Sequence, residues 1–187
     1  MKIETIEKIL NFLEEKEGKE TPKKWFDSIE KLKLIYELEN HPDGTQYKDY
    51  YNLPLSDSNI TKLPNDLYVS GFLDLTRCKE LTKLPDNLYV GYHLYLTASN
   101  ITELPNNLYV GGNLFLNNSN ITELPYKLHV GRYLVLNNSN LTELPNNLYI
   151  DGDLYIKGTP LSKKYSHEEI REMITSKGGM VLGKIHR

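Results

Sequence analysis

The sequence has one cysteine, Cys78, among 187 residues, so an internal disulfide framework is excluded. It also lacks any apolar run close to the roughly 20 residues that are needed to cross a bilayer. No charged start leads into a long apolar stretch, as it would in a secretory signal. We therefore expect a soluble protein that resides in the cytoplasm of the cell that makes it or of an infected cell.

Basic side chains are not in excess. The formal net charge is -3 and the pI is close to 6.0. Nucleic acids and anionic membranes select proteins with a strongly basic surface. The composition therefore argues against both as partners.

Residues suited to catalysis or metal binding are sparse. His93 and His129 occupy different positions of the repeat described below, so we expect them on different faces, and no nucleophile with its base can be assembled. A single cysteine and the absence of a helically spaced His pair leave no metal motif. The repeated V-G-G precedes a strand and does not open a helix, which excludes a phosphate-binding loop. We expect no enzyme activity, no catalytic or metal-binding residue and no cofactor.

An internal repeat dominates the rest of the sequence. The pair Leu-Pro recurs with spacings of 21, 20, 20 and 20 residues, at Leu63-Pro64, Leu84-Pro85, Leu104-Pro105, Leu124-Pro125 and Leu144-Pro145. Each unit opens with L-x-L, at Leu53, Leu73, Leu94, Leu114, Leu134 and Leu154. A fixed period of this length is typical of a solenoid, in which no coil can fold without its neighbours.

The pattern within one unit predicts a short strand and several turns. Alternation in L-x-L places both leucines on one side of a strand and the middle residue on the other. Asparagine pairs such as Asn117-Asn118 and Asn137-Asn138 are expected to end the strands in turns. Glycines such as Gly111 and Gly131 precede each strand, and we expect them to turn the chain through a positive φ.

The frame L-x-L-x-x-S-x-I followed by L-P resembles the leucine-rich repeat in its short bacterial form, over about residues 53 to 161. The resemblance implies a repeat solenoid with a parallel β-sheet on its concave face. It also implies that the sixth position bonds to the turn backbone, so Cys78 is expected to be structural. That position is held by Ser58, Cys78, Ser99, Ser119, Ser139 and Thr159.

The flanks predict end caps. Apolar spacing predicts a helix over residues 2 to 16 and a second one from Thr21-Pro22 to the "HPDG" segment. Such a hairpin resembles the one that caps the first coil in effector proteins injected by bacterial pathogens. After the repeats, Ser166 and Glu169 predict a capping box and a helix, followed by a short strand in "MVLGKI". This ending resembles small leucine-rich repeat proteins of bacteriophages. We divide the chain into an N-terminal helical cap (1–50), a solenoid of about six coils (51–165) and a C-terminal cap (166–187).

Aromatic side chains between the inward leucines, with polar residues beside them, form the candidate site. Exposed rings surrounded by Asn and Asp resemble an interface core with its polar rim, although rings also stabilise sheets by packing on one face. The predicted partner-binding residues are Phe72, Asp74, His93, Tyr95, Asn113, Phe115, Asn117, Tyr133, Val135, Asn137, Asp153 and Tyr155. A second row, Tyr68, Tyr89, Tyr109, His129 and Tyr149, is uniform enough to be a stacked ladder that covers the turns.

These observations favour a non-catalytic binding module that recognises another protein on its concave face and inhibits it by masking. The phage resemblance points to a host defence or regulatory protein as the partner. The alternative is a structural or assembly protein of a phage or bacterium that acts by self-association. We expect a monomer in preference to an obligate oligomer.

Overall fold

The computed structural model describes residues 23–40 and 49–187, with the backbone alone for 23–30. Two compact units divide after His41, one covering Met1–His41 and the other Pro42–Arg187. Each unit is described by itself.

The first unit contains helix α1, Lys23–Glu39, where the second helix was predicted. The helix ends in a turn at Asn40, whose backbone N–H and side-chain Nδ2 both donate to the carbonyl oxygen of Tyr36, at 3.1 and 2.8 Å. The predicted first helix, the Thr21-Pro22 start and the "HPDG" break lie outside the described residues.

The second unit is a repeat solenoid with a parallel sheet formed by the L-x-L segments, as predicted from the repeat, and with a second parallel sheet that was not predicted. The seven-stranded sheet consists of β1 (Leu53–Pro54), β3 (Leu73–Asp74), β5 (Leu94–Tyr95), β7 (Leu114–Phe115), β9 (Leu134–Val135), β11 (Leu154–Tyr155) and β13 (Ile185–His186). The six-stranded sheet consists of β2 (Tyr68–Val69), β4 (Tyr89–Val90), β6 (Tyr109–Val110), β8 (His129–Val130), β10 (Tyr149–Ile150) and β12 (Met180–Val181). Each coil contributes one short strand to each sheet.

Equivalent residues of successive coils are paired without a shift. Leu94 pairs with Leu114, and Leu114 pairs with Leu134. The backbone N–H of Leu94 donates to the carbonyl of Asn113, and that of Leu114 donates to the carbonyl of Tyr133, both at 2.9 Å. Each repeat position therefore forms a column that runs along the solenoid.

The core is a stack of aliphatic layers with one polar column inside it. Both leucines of each L-x-L from β1 to β9 are fully buried. In the sixth-position column the Cys78 thiol donates to the carbonyl of Leu55 at 3.1 Å, and the Ser99 hydroxyl donates to the carbonyl of Leu96 at 2.9 Å. Cys78 is buried and bonds to a turn carbonyl, as expected for a structural residue.

The turns follow the asparagine prediction but contradict the one made for glycine. Asn118 and Asn138 have φ of 53° and 57°, in the left-handed region that asparagine tolerates better than most residues. Gly111 and Gly131 do not adopt a positive φ. A Cβ at either position would lie 2.3 Å from the carbonyl oxygen of the glycine one coil earlier. Glycine therefore permits close approach between coils at these positions, and it does not reverse the chain there.

The C-terminal segment continues both sheets. Helix α2 (Pro160–Lys164) follows the last repeat, and α3 (His167–Ser176) begins at Ser166 with the predicted capping box. Ile170 and Ile174 of α3 are buried. The short strand predicted in "MVLGKI" is present as β12, which pairs with β10. A second strand, β13, begins at Ile185 and pairs with β11, and it was not predicted. The assignment of α3 as an end cap stays a prediction.

We predict that Leu114→Ala lowers the free energy of unfolding by about 3 kcal/mol, because it leaves a cavity between fully packed layers. Leu114 is fully buried between Leu94 and Leu134 in the register. Urea denaturation followed by circular dichroism measures the change. Thr122→Ala, at an exposed position of the same coil, is the control and should change stability by less than about 0.5 kcal/mol. Equal losses in the two variants would contradict the layered core.

Candidate protein-binding face

The ring face is the side of the seven-stranded sheet that points away from the core. In each of its strands the first residue is buried and the second is at least partly exposed. The central column of this face consists of Pro54, Asp74, Tyr95, Phe115, Val135, Tyr155 and His186. The predicted alternation therefore holds along the whole sheet.

The rings of this column stack on each other. The Tyr95 and Phe115 centroids are 4.8 Å apart with planes 7° from parallel. Tyr155 and His186 form a second such pair, 4.2 Å apart and 8° from parallel. Phe72 lies edge-on to Tyr95 at 6.3 Å. The face thus carries two stacked aromatic pairs.

The residues that precede each strand form a hydrogen-bonded column beside the rings. Asn113 Oδ1 accepts from the backbone N–H of Tyr133 at 3.0 Å, and Asp153 Oδ1 accepts from that of Lys184 at 2.8 Å. His93 Nδ1 accepts from the backbone N–H of Asn113 at 2.9 Å. These polar side chains therefore tie one coil to the next, whatever further role they have in binding.

Two further polar side chains of the site also accept backbone hydrogen bonds. Asn137, after β9, accepts from the backbone N–H of Lys157 in the next coil at 2.9 Å, and Asp74, the second residue of β3, accepts from that of Thr76 in its own coil at 2.9 Å. The equivalent Asn117 Oδ1 is buried and accepts no hydrogen bond. All twelve residues predicted for binding lie on or beside the ring face, but several of their polar atoms are occupied within the chain.

The surroundings of His93 favour the neutral form of its ring. Its pKa lies below the usual histidine value because the ring is partly desolvated and, to a smaller extent, because Arg132 is nearby. Since Nδ1 accepts a hydrogen bond from Asn113, the neutral ring carries its proton on Nε2. Tyr92 packs against His93 with centroids 3.8 Å apart, and the Arg132 guanidinium lies 5.9 Å from the Tyr92 ring.

Asp153 organises the C-terminal end of the face. Its pKa lies below the usual value, first because of the backbone N–H of Lys184 and then because of His186, whose Nε2 lies 2.9 Å from Asp153 Oδ2. The Tyr155 hydroxyl donates to the same oxygen at 3.3 Å. Burial, followed by the charge of Asp153, raises the pKa of Tyr155. The stacked Tyr155–His186 pair is therefore held in place by one carboxylate.

Sequence reasoning missed Tyr92, Arg132 and His186. His186 was assigned to the flank because α3 separates it from the regular repeat. The segment "VLGKIH" nevertheless matches the repeated "VGGNLF" in its valine, glycine, inward aliphatic and outward ring. Alignment of these two segments places His186 in the ring column.

Three tyrosines of the six-stranded sheet, Tyr68, Tyr89 and Tyr109, form part of the stacked ladder that the uniformity of the row suggested. Tyr68 stacks on Tyr89 at 4.4 Å and Tyr89 stacks on Tyr109 at 4.7 Å, with planes 5° and 6° from parallel. His129 lies edge-on to Tyr109 at 6.5 Å. His93 and His129 therefore lie on different sheets, as expected from their repeat positions.

Within residues 31–40 and 49–187, no three His, Cys, Asp or Glu side chains are grouped so that they could hold a metal ion. In the same ranges no helix combines the length and the apolar character that crossing a membrane requires.

No protein-family model, curated protein or solved structure matches the chain. The function has to be inferred from the geometry of the ring face.

We predict that His93 makes the stability of the solenoid dependent on pH. A proton on Nδ1 would set two N–H groups against each other, so the folded state binds it less readily than the unfolded chain does. The stabilising contribution is fully present above the ordinary histidine pKa of about 6.5 and is lost as the pH falls below it. Urea denaturation at several pH values between about 5 and 7.5 measures the effect across that pKa.

The control variant is His93→Asn, which places at this position the acceptor that Asn113 supplies one coil later. The variant should retain the backbone hydrogen bond and show a weaker loss of stability on acidification than the parent chain. The same pH dependence in both proteins would contradict the role assigned to His93.

Proposed function

We propose that this chain is a non-catalytic protein-binding module of the leucine-rich repeat type that recognises a partner protein through the ring face. The observation that supports the proposal is the row of half-exposed rings, which the backbone register holds in fixed positions. Rings contribute a large contact area at a low cost in side-chain entropy, and they are enriched at the centres of protein interfaces.

The orientation of the rings favours a protein over a carbohydrate as the partner. Tyr95 and Phe115 cover each other's faces, and so do Tyr155 and His186. A sugar typically lies flat on an exposed ring face, whereas in each of these pairs one face of each ring is covered by its partner. Ring edges and a rim of amides suit the mixed side chains of a protein surface.

Inhibition by masking is the mechanism that we propose for this module, since the ring face offers contact area and no reactive group. The partner would be a host defence or regulatory protein, and the encounter would take place in the cytoplasm of the producing or infected cell. This part of the proposal rests on the resemblance to small phage and effector repeat proteins.

We predict that the triple variant Tyr95→Ala, Phe115→Ala, Tyr155→Ala folds but no longer captures the partner. Loss of three rings from the interface centre should weaken binding by at least about a hundredfold, since single anchor residues contribute about 2 kcal/mol or more. The measurement is affinity capture from the lysate of the native host, with quantitative mass spectrometry of the retained proteins.

The matched control is Tyr68→Ala, Tyr89→Ala, Tyr149→Ala, which removes three rings from the six-stranded sheet. This variant should capture the same proteins as the parent chain. Capture that survives in the ring-face variant, with its fold confirmed by circular dichroism, would contradict the proposal.

Self-association is the second candidate function, and one observation favours it. β12 and β13 form the last edges of the two sheets, and Met180 and Leu182 beside them are 51% and 65% exposed. Apolar edge strands can pair with another chain. Size-exclusion chromatography with light scattering tests this alternative, and a discrete monomer at high concentration would contradict it.

A further inference from the structure

The aromatic column of the ring face is interrupted at one position. Tyr95, Phe115, Val135 and Tyr155 follow one another in register on adjacent strands. Tyr95 stacks on Phe115, and Tyr155 stacks on His186. Val135 stands between the two pairs and is itself only partly buried.

The gap above Val135 has the width of one ring. Adjacent strands are about 4.8 Å apart, so the strands that carry Phe115 and Tyr155 are separated by about 9.6 Å. A ring placed midway would lie about 4.8 Å from each neighbour, within the range of stacked aromatic pairs. The existing pairs have the same spacing, 4.8 and 4.2 Å. In the part of the chain that the structure describes, no ring contact joins Phe115 to Tyr155 or to Tyr133.

Tyr133, the neighbour of Val135 on the same strand face, leans onto the next coil. Its ring is edge-on to Tyr155 at 6.0 Å. It also lies over Gly152, where a Cβ would come within 2.7 Å of Tyr133 Cδ1. Tyr133 therefore borders the gap above Val135 on the side of Tyr155, and the ring of Phe115 borders it on the other side.

Cations outnumber carboxylates beside the later strands that border the gap. Lys157 follows β11 and Lys184 precedes β13, and both side chains are exposed, with no ion pair to either among residues 31–40 and 49–187. The carboxylate of Asp153, which precedes β11, is held by the backbone N–H of Lys184, by His186 and by Tyr155. Carboxylates of a partner would therefore find unpaired cations here.

We propose that the gap above Val135 binds a single aromatic side chain of the partner protein, flanked in the partner by acidic residues. The inserted ring completes a continuous stack from Tyr95 to His186, and the flanking carboxylates face Lys157 and Lys184. The inference rests on the proposed function, because it names the anchor that a partner would use on the same face.

Three capped tripeptides, Glu-Phe-Glu, Lys-Phe-Lys and Glu-Ala-Glu, test the site by NMR titration of methyl-labelled protein. Glu-Phe-Glu should shift the Val135 methyl resonances upfield and saturably, because they would lie beneath the inserted ring. Lys-Phe-Lys should bind several-fold more weakly, and Glu-Ala-Glu should produce no upfield shift. Val135 methyls that do not respond to Glu-Phe-Glu would overturn the site, and equal binding of the two Phe peptides would overturn the acidic flanks.

Two variants at the same residue complete the test. Val135→Phe fills the gap with the chain's own ring, so it should reduce Glu-Phe-Glu binding by about tenfold or more and leave Tm unchanged or higher. Val135→Ala leaves the gap open and should bind the peptide like the parent chain. Unchanged binding to Val135→Phe would overturn the gap as the site. A partner protein that still binds Val135→Phe, but not the variant lacking Tyr95, Phe115 and Tyr155, would remove this inference and leave the proposed function standing.

Discussion

The in-register hydrogen bonding of successive coils is the constraint on which the rest of the structure depends. It places each residue opposite its equivalent one repeat away, for example Leu94 opposite Leu114 and Tyr95 opposite Phe115. Because the strand spacing of about 4.8 Å is also a favourable distance for stacked rings, a ring that recurs at an outward position stacks without any adjustment of the backbone. Both aromatic columns stack because the strand spacing matches the distance between stacked rings.

The same register makes the interior and the surface interdependent. Buried leucines on one side of a strand fix the plane of the sheet, and side chains such as Asn113 and Asp153 on the other side bond to the backbone of the next coil. A change at one of these polar positions therefore alters coil stacking as well as the binding surface. For this reason Tyr95 and Phe115, which contact each other by ring stacking, are cleaner probes of recognition than His93, whose ring accepts a backbone hydrogen bond.

The sequence was sufficient to predict the strand register and the inward and outward sides of the strands, because L-x-L and Leu-Pro recur at nearly constant spacing. It was not sufficient for the glycines, since a glycine is compatible both with a positive φ and with close backbone approach. The structure distinguishes these two roles, because a Cβ on Gly111 would lie 2.3 Å from the carbonyl oxygen of Gly91. His186 was missed because α3 replaces the outer arm of the last coil and moves the strand out of the 20-residue period. The sequence shows that Val135 replaces a ring in this column. Only the structure shows that the rings on either side of it stack with other neighbours, Tyr95 with Phe115 and Tyr155 with His186.

Nuclear Overhauser effects between equivalent residues of adjacent coils are the most direct test of the central claim. In a spectrum of the assigned protein, the ring protons of Tyr95 should show cross-peaks to the ring protons of Phe115. The backbone amide proton of Leu114 should show cross-peaks to backbone protons of strand β9. The Phe115 ring should show no cross-peak to the Tyr155 ring. Cross-peaks that connect residues out of register, or none between Tyr95 and Phe115, would contradict the stacked coils and with them the ring face.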